Sequence, residues 1–168
     1  MEGDSFGERA KGAYGYLRDM SVAVFSYGIR FQDDGRLDVF PALDAEILGR
    51  GDRGVRAVFV IDSGATTSLI PRGDADLLGI SFSAGKKIIV RGVGDSVFFG
   101  YVHSLRICFA GQIFRAPFII ADRFDSPHIL GREGIFSRFG IMFHEAGRRT
   151  AFLNTKTEKR AISSVFSS

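Results

Sequence analysis

The length, composition and charge of the chain exclude several classes of protein. Its 168 residues are 45% hydrophobic and 24% charged, which is typical of one globular domain and not of a disordered or fibrous chain. The net charge of +3 comes from scattered Lys and Arg, whereas nucleic-acid-binding proteins usually carry a dense basic stripe with aromatic residues between the charges. We therefore expect no nucleic-acid partner.

Cysteine content and hydropathy limit the compartment. Cys108 is the single cysteine, so no disulfide can form within the chain. The N-terminus is polar, and no apolar run reaches the roughly 18 residues of a membrane span. We expect a cytoplasmic protein with no membrane partner, although a segment of a longer, targeted protein would look the same.

The two ends of the chain differ from its centre. Residues 1–34 lack a clean hydrophobic period and are predicted to form a partly ordered N-terminal extension. Residues 155–168 are polar and Ser-rich, which predicts a C-terminal tail that frays. The domain proper is therefore expected at residues 35–154.

Short apolar segments with the two-residue period or the β-branched content of strands recur through residues 35–154. They cover residues 37–47, 55–61, 66–70, 87–90, 98–109, 113–121, 141–143 and 150–153. Glycine-rich turns, such as residues 49–54, separate them. The helical signals are one turn at residues 74–78 and a short piece at residues 134–139. This pattern predicts a small all-β domain, closed into a barrel or folded as a sandwich.

One acidic residue stands out in this pattern. Asp62 directly follows the apolar strand at residues 55–61, where a carboxylate is costly unless something satisfies or uses it. Ser63, Gly64 and Ala65 come next and allow the chain to turn tightly, so that the carboxylate projects from a rigid base. Taken alone, Asp62 could also be a structural turn residue that binds its own backbone.

Three segments together resemble the retropepsin-like family of aspartic proteases, over about residues 35–153. Asp62-Ser63-Gly64-Ala65 resembles the Asp-Thr/Ser-Gly-Ala signature of these enzymes. Downstream, Ile129-Leu130-Gly131-Arg132 resembles the apolar-apolar-Gly-Arg segment that runs under their active-site loop. Between them, the expected hairpin tip around Gly92-Val93-Gly94 resembles their flap. The resemblance implies a retropepsin-like barrel with a flap hairpin and one short C-terminal helix.

The resemblance also implies an activity, namely peptide-bond hydrolysis by two facing carboxylates. Asp62 would be catalytic, and Ser63, Gly64 and Ala65 would support the loop. The implied substrate-binding residues are Thr66, Thr67, Gly92, Val93, Gly94 and Ile129. Because the chain holds one such signature, the second Asp is expected from a second copy, in a homodimer that cleaves a protein or peptide substrate.

The sequence departs from the family at three points and leaves two alternatives open. Asp95 stands in the expected flap tip, where the family has a glycine-rich end, and the terminal strands that join retroviral dimers have no recognisable match. Thr66 stands where retroviral proteases usually have an Asp that pairs with the Arg matching Arg132, so Arg132 needs another partner. The alternatives are a catalytically silent module of the same fold that binds peptides or serves as a scaffold, and an unrelated β-barrel that binds a small ligand. The three histidines lack metal-ligand spacing, and Cys108 lacks a catalytic companion, so we expect neither metal nor cofactor.

Overall fold

The computed structural model describes residues 22–92 and 97–166. The strands are β1 (Val22–Ser26), β2 (Gly28–Phe31), β3 (Leu37–Phe40), β4 (Ala42–Leu48), β5 (Gly54–Ile61), β6 (Ser68–Ile70), β7 (Lys86–Arg91), β8 (Val97–Phe109), β9 (Gln112–Ala121), β10 (Ile129–Leu130), β11 (Gly140–His144) and β12 (Arg149–Leu153). The helices are α1 (Gly73–Leu77) and α2 (Thr155–Phe166), with a 3-10 turn at Phe82–Ala84.

Six strands close into a barrel. They follow the order β4-β5-β10-β6-β9-β8, and β8 pairs back with β4 to complete the ring. The pairs β5–β10 and β6–β9 are parallel, and the other neighbours are antiparallel. Alternate residues of these strands point inward, so that Phe59, Ile107 and Phe118 are fully buried in the core. The prediction of a closed all-β fold is confirmed.

The shortest strand of the barrel fixes the position of Asp62. In β10, Ile129 lies between Val60 of β5 and Leu69 of β6, and Leu130 pairs with Ile61. The downstream apolar segment is therefore inserted between the strand before Asp62 and the strand after it. This pairing joins residues nearly 70 positions apart in the sequence and holds both ends of the Asp62 loop.

A second, three-stranded sheet has the order β1-β12-β11. Phe152 of β12 packs against Phe109 and Phe139, with ring centroids 5.3 and 5.8 Å away, and so joins this sheet to the barrel core. Because β1 precedes residue 35, the pairing of Val22–Ser26 with Arg149–Leu153 crosses the predicted start of the domain. The division at residues 34 and 154 stays a prediction.

The C-terminal helix is present, but not where the sequence placed helical structure. Residues 133–138 form successive turns, because Gly134 has a φ of +74°, which a right-handed helix cannot include. The prediction of a helix at residues 134–139 is therefore wrong. Helix α2 instead occupies most of the segment predicted to fray, and the Asn154 side chain caps it by accepting a hydrogen bond from the Thr157 N–H at 3.0 Å. Within the described residues, neither helix has the length and hydropathy to cross a membrane.

Candidate active site

The Asp62 carboxylate lies at the end of β5 in a loop held by backbone hydrogen bonds. The Asp62 N–H donates to the Leu130 carbonyl at 3.0 Å, and the Val60 N–H donates to the His128 carbonyl at 2.9 Å. One carboxylate oxygen, Oδ1, accepts from the N–H groups of Gly64 at 2.8 Å and Ala65 at 3.3 Å. The side chain is therefore fixed in direction, and it is half-buried.

A structural turn Asp would accept the same two backbone hydrogen bonds at Oδ1. These bonds by themselves therefore do not distinguish a catalytic Asp62 from a turn-forming one. The other oxygen, Oδ2, accepts no hydrogen bond from any residue that the structure describes, and Asp62 lines a cavity of about 550 Å³. A turn residue needs no such opening. The geometry therefore leaves one carboxylate oxygen available to a ligand or to a second carboxylate.

Six of the predicted site residues line this cavity together, namely Asp62, Gly64, Ala65, Thr67, Gly92 and Ile129. Ser63 and Thr66 are exposed beside it and are not part of its wall. Val93 and Gly94 lie outside the described residues. The structure thus brings together residues from three separate segments of the chain, and their functional roles stay predictions.

Sequence reasoning missed the remaining residues of the cavity wall, which are Leu69, Val90, Arg91, Phe98 and Ile119. Leu69 and Ile119 form a small buried cluster, against which Val90 and Phe98 of the hairpin pack. The two-residue period marks such positions as one face of a strand. It does not show which face of which strand lies over Asp62.

The segment after β10 is hydrogen-bonded to the Asp62 loop. The N–H groups of Arg132 and Glu133 donate to the carbonyls of Ala65 at 3.0 Å and Thr66 at 2.8 Å. The Gly131 N–H donates to the buried Ser68 hydroxyl at 3.0 Å, and a Cβ at Gly131 would lie only 2.7 Å from the backbone of Thr67. Glycine is therefore required at position 131.

Side-chain hydrogen bonds join the same two segments. A guanidinium N–H of Arg132 donates to the Thr66 hydroxyl at 3.4 Å, which supplies the partner that the sequence left open. The Thr67 hydroxyl donates to the Glu133 carboxylate at 3.1 Å. Two threonine hydroxyls thus link the Asp62 loop to the segment after β10.

The hairpin arms expected from the sequence are present. Strands β7 and β8 pair in register from Lys86–Val102 to Arg91–Val97. Arg91 and Gly92 reach the cavity from one arm and Phe98 from the other. The predicted tip, including Val93 and Gly94, falls in the part of the chain that is not described.

Two of the three histidines, His103 and His128, have structural partners. His128 Nε2 donates to the buried Asp74 carboxylate at 2.8 Å and packs edge-on against Phe59, with ring centroids 5.2 Å apart. His103 Nε2 donates to the Phe82 carbonyl at 2.9 Å. Within residues 22–92 and 97–166, no three His, Cys, Asp or Glu side chains group as metal ligands would.

Comparison with known proteins identifies solved structures with a similar fold. Neither a protein-family model nor a curated protein sequence matches the chain. The chain is similar to the crystal structure of a retropepsin-like aspartic protease from Rickettsia conorii, with a TM-score of 0.53 and 14% identity over 79% of this chain and 99% of that one. It is also similar to EIAV protease complexed with the inhibitor HBY-793, with a TM-score of 0.45 and 22% identity over 55% of this chain and 82% of that one. The fold is retropepsin-like.

Proposed function

We propose that this protein is an aspartic endopeptidase that works as a homodimer, with Asp62 of each chain forming the catalytic pair. One observation carries the proposal. Asp62 lies at the end of a barrel strand with one carboxylate oxygen held by backbone N–H groups, and it opens into a cavity of about 550 Å³ bounded by a hairpin.

The proposed chemistry needs two carboxylates. The ionised one takes a proton from water, and the protonated one donates a hydrogen bond to the carbonyl of the bond to be cleaved. Two carboxylates close enough to act on the same water and carbonyl repel each other too strongly for both to ionise, so the pair shares one proton. The fixed direction of Asp62 favours this role, because a freely rotating side chain would lose the alignment.

The second carboxylate must come from another chain. The sequence contains a single Asp-Ser-Gly-Ala segment, and a twofold axis beside Asp62 would bring the same residue from a second copy. Ser63 and Gly64 are exposed in the single chain, as expected for a loop that a partner would cover. Ser63 would then support the pair from the dimer interface.

The cavity wall suggests the kind of substrate. Leu69, Val90, Phe98, Ile119 and Ile129 make much of it apolar, which favours hydrophobic side chains beside the cleaved bond. An extended peptide would lie between the Asp62 loop, including Thr66 and Thr67, and the β7–β8 hairpin. The tip, with Gly92, Val93 and Gly94, would close over it and exclude all water except the attacking molecule.

The direct test is the Asp62→Asn variant, which keeps the size of the side chain and removes the acid. We expect loss of peptide cleavage with an unchanged circular dichroism spectrum and denaturation midpoint. Asp76→Asn, an exposed acid on α1, is the matched control and should keep full activity. A mixture of short peptides with hydrophobic centres, analysed by mass spectrometry, provides the substrate.

Two results would contradict the proposal. Equal cleavage by wild type and Asp62→Asn would mean that another group performs the reaction or that a contaminating protease is present. Absence of cleavage by a wild-type dimer that binds the same peptides as Asp62→Asn would instead indicate the silent peptide-binding module.

A further inference from the structure

A second cavity, of about 360 Å³, lies on the barrel away from Asp62. It is formed where the C-terminal half of β8 and the facing part of β9 meet the turn between β4 and β5, and Ile80 closes one side. It shares no lining residue with the candidate active site. Its size is at the lower end of the range for small-molecule sites.

The charged side chains that line this second cavity are all positive. Arg50, Arg106 and Arg115 line it together with His103, and none of its lining residues is acidic. Among the described residues, none of the three arginines makes an ion pair. Three permanently charged arginines thus line one concave surface without an ion-pair partner among the described residues.

The strand register makes this arrangement costly. Arg106 of β8 and Arg115 of β9 are directly opposite each other in the antiparallel pair. Like charges at such cross-strand positions destabilise a sheet, whereas opposite charges stabilise it. An anion between the two side chains would remove the repulsion.

Two of the three guanidinium groups donate to backbone carbonyls. Arg115 donates to the Ser104 carbonyl at 2.9 Å, and Arg106 donates to the Gly49 carbonyl at 3.4 Å. Gly49 is packed tightly, since a Cβ there would clash with the Leu78 carbonyl oxygen. Each arginine has five N–H donors, so these single contacts leave several donors of Arg106 and Arg115 for a ligand.

From these observations we infer that Arg50, Arg106 and Arg115 form a binding site for an oxyanion, either a phosphate group or a carboxylate. Both present several acceptor oxygens in the geometry that guanidinium groups bind with paired hydrogen bonds. The volume leaves room for the small molecule or side chain that carries the anion. This site is independent of the function proposed for Asp62.

The test is calorimetric titration of the full chain with inorganic phosphate and, separately, with succinate, at constant ionic strength set by sodium chloride. We expect saturable binding of at least one of the two, and the stronger ligand identifies the anion class. In Arg106→Gln/Arg115→Gln the affinity should fall by about tenfold or more, because several charge-assisted hydrogen bonds are lost. The Arg149→Gln/Lys156→Gln variant removes the same charge elsewhere on the surface and should bind as wild type does.

A third variant separates lost binding from damage to the fold. Arg115→Glu places opposite charges across β8 and β9, so its melting temperature in chloride should equal or exceed that of wild type while anion binding is lost. If Arg115→Glu does not fold, the glutamine variant decides the test. Failure of both anions to saturate the wild type, or equal affinity in the glutamine variant and the control, would overturn the inference.

Discussion

At the scale of single residues, Cys108 shows how burial controls reactivity. It is buried in β8 directly opposite Glu46 of β4. Burial, with the negative charge of Glu46 as a second cause, raises the pKa of the Cys108 thiol. A raised pKa leaves less thiolate at any pH below it, and the thiolate is the reactive form.

We therefore predict that the folded protein does not react with a thiol reagent such as dithionitrobenzoate at mildly alkaline pH, and that it reacts fully in denaturant. The absorbance change has one source because the chain has one cysteine, and Cys108→Ser supplies the blank. Rapid stoichiometric modification of the native protein would show that the thiol is accessible and would contradict the described burial.

At the scale of elements, the Asp74–His128 hydrogen bond joins α1 to the residue before β10. Asp74 is 5% exposed, and the His128 carbonyl also accepts the Val60 N–H. Replacing Asp74 with Ala leaves the imidazole N–H without its acceptor in a partly buried position. We predict that Asp74→Ala lowers the free energy of unfolding by about 1–3 kcal/mol.

Urea denaturation at neutral pH measures this effect from the midpoint and slope of the transition. The matched control is Asp76→Ala on the same helix, where the side chain is exposed and a change within about 0.5 kcal/mol is expected. Equal destabilisation by both variants would mean that the loss comes from the helix itself and not from the bond to His128.

At the scale of the whole molecule, the proposed site exists only in the dimer. Specific activity should therefore fall when the protein is diluted below the dimer dissociation constant. When equal amounts of wild-type and Asp62→Asn chains exchange freely, about one quarter of the dimers have two wild-type chains. Activity per wild-type chain should then drop to about half, because mixed dimers lack one acid.

Activity that stays proportional to the number of wild-type chains after subunit exchange would contradict the shared site. Size-exclusion chromatography before and after mixing verifies that exchange has occurred. In that event Asp62 would act within a single chain, and its partner would have to be found there.

The pH dependence of activity also belongs to the whole molecule. A pair of carboxylates that shares one proton is competent only in the singly protonated state. We predict a bell-shaped profile of kcat/KM with its maximum on the acidic side of neutral. A rate that rises steadily to about pH 9 would contradict this, because the pair would then be fully ionised.

The sequence by itself determined those features that depend on neighbouring residues. The apolar run before Asp62 and the small residues after it predict a strand end with a projecting carboxylate, and the structure has this arrangement. The two arms of the hairpin and the turn at residues 49–54 follow from local period and glycine content. Each of these signals is complete within about ten residues of chain.

Only the tertiary structure decided the features that depend on distant pairing. No short stretch of sequence predicts three of these pairings. They are the register that sets Arg106 opposite Arg115, the insertion of Ile129 between Val60 and Leu69, and the pairing of β1 with β12. The sequence also suggested a helix at residues 134–139, although Gly134 turns the chain there. The physical reason is that strand register and the choice of inward face are set by closure of the barrel around its shared core, to which every strand contributes.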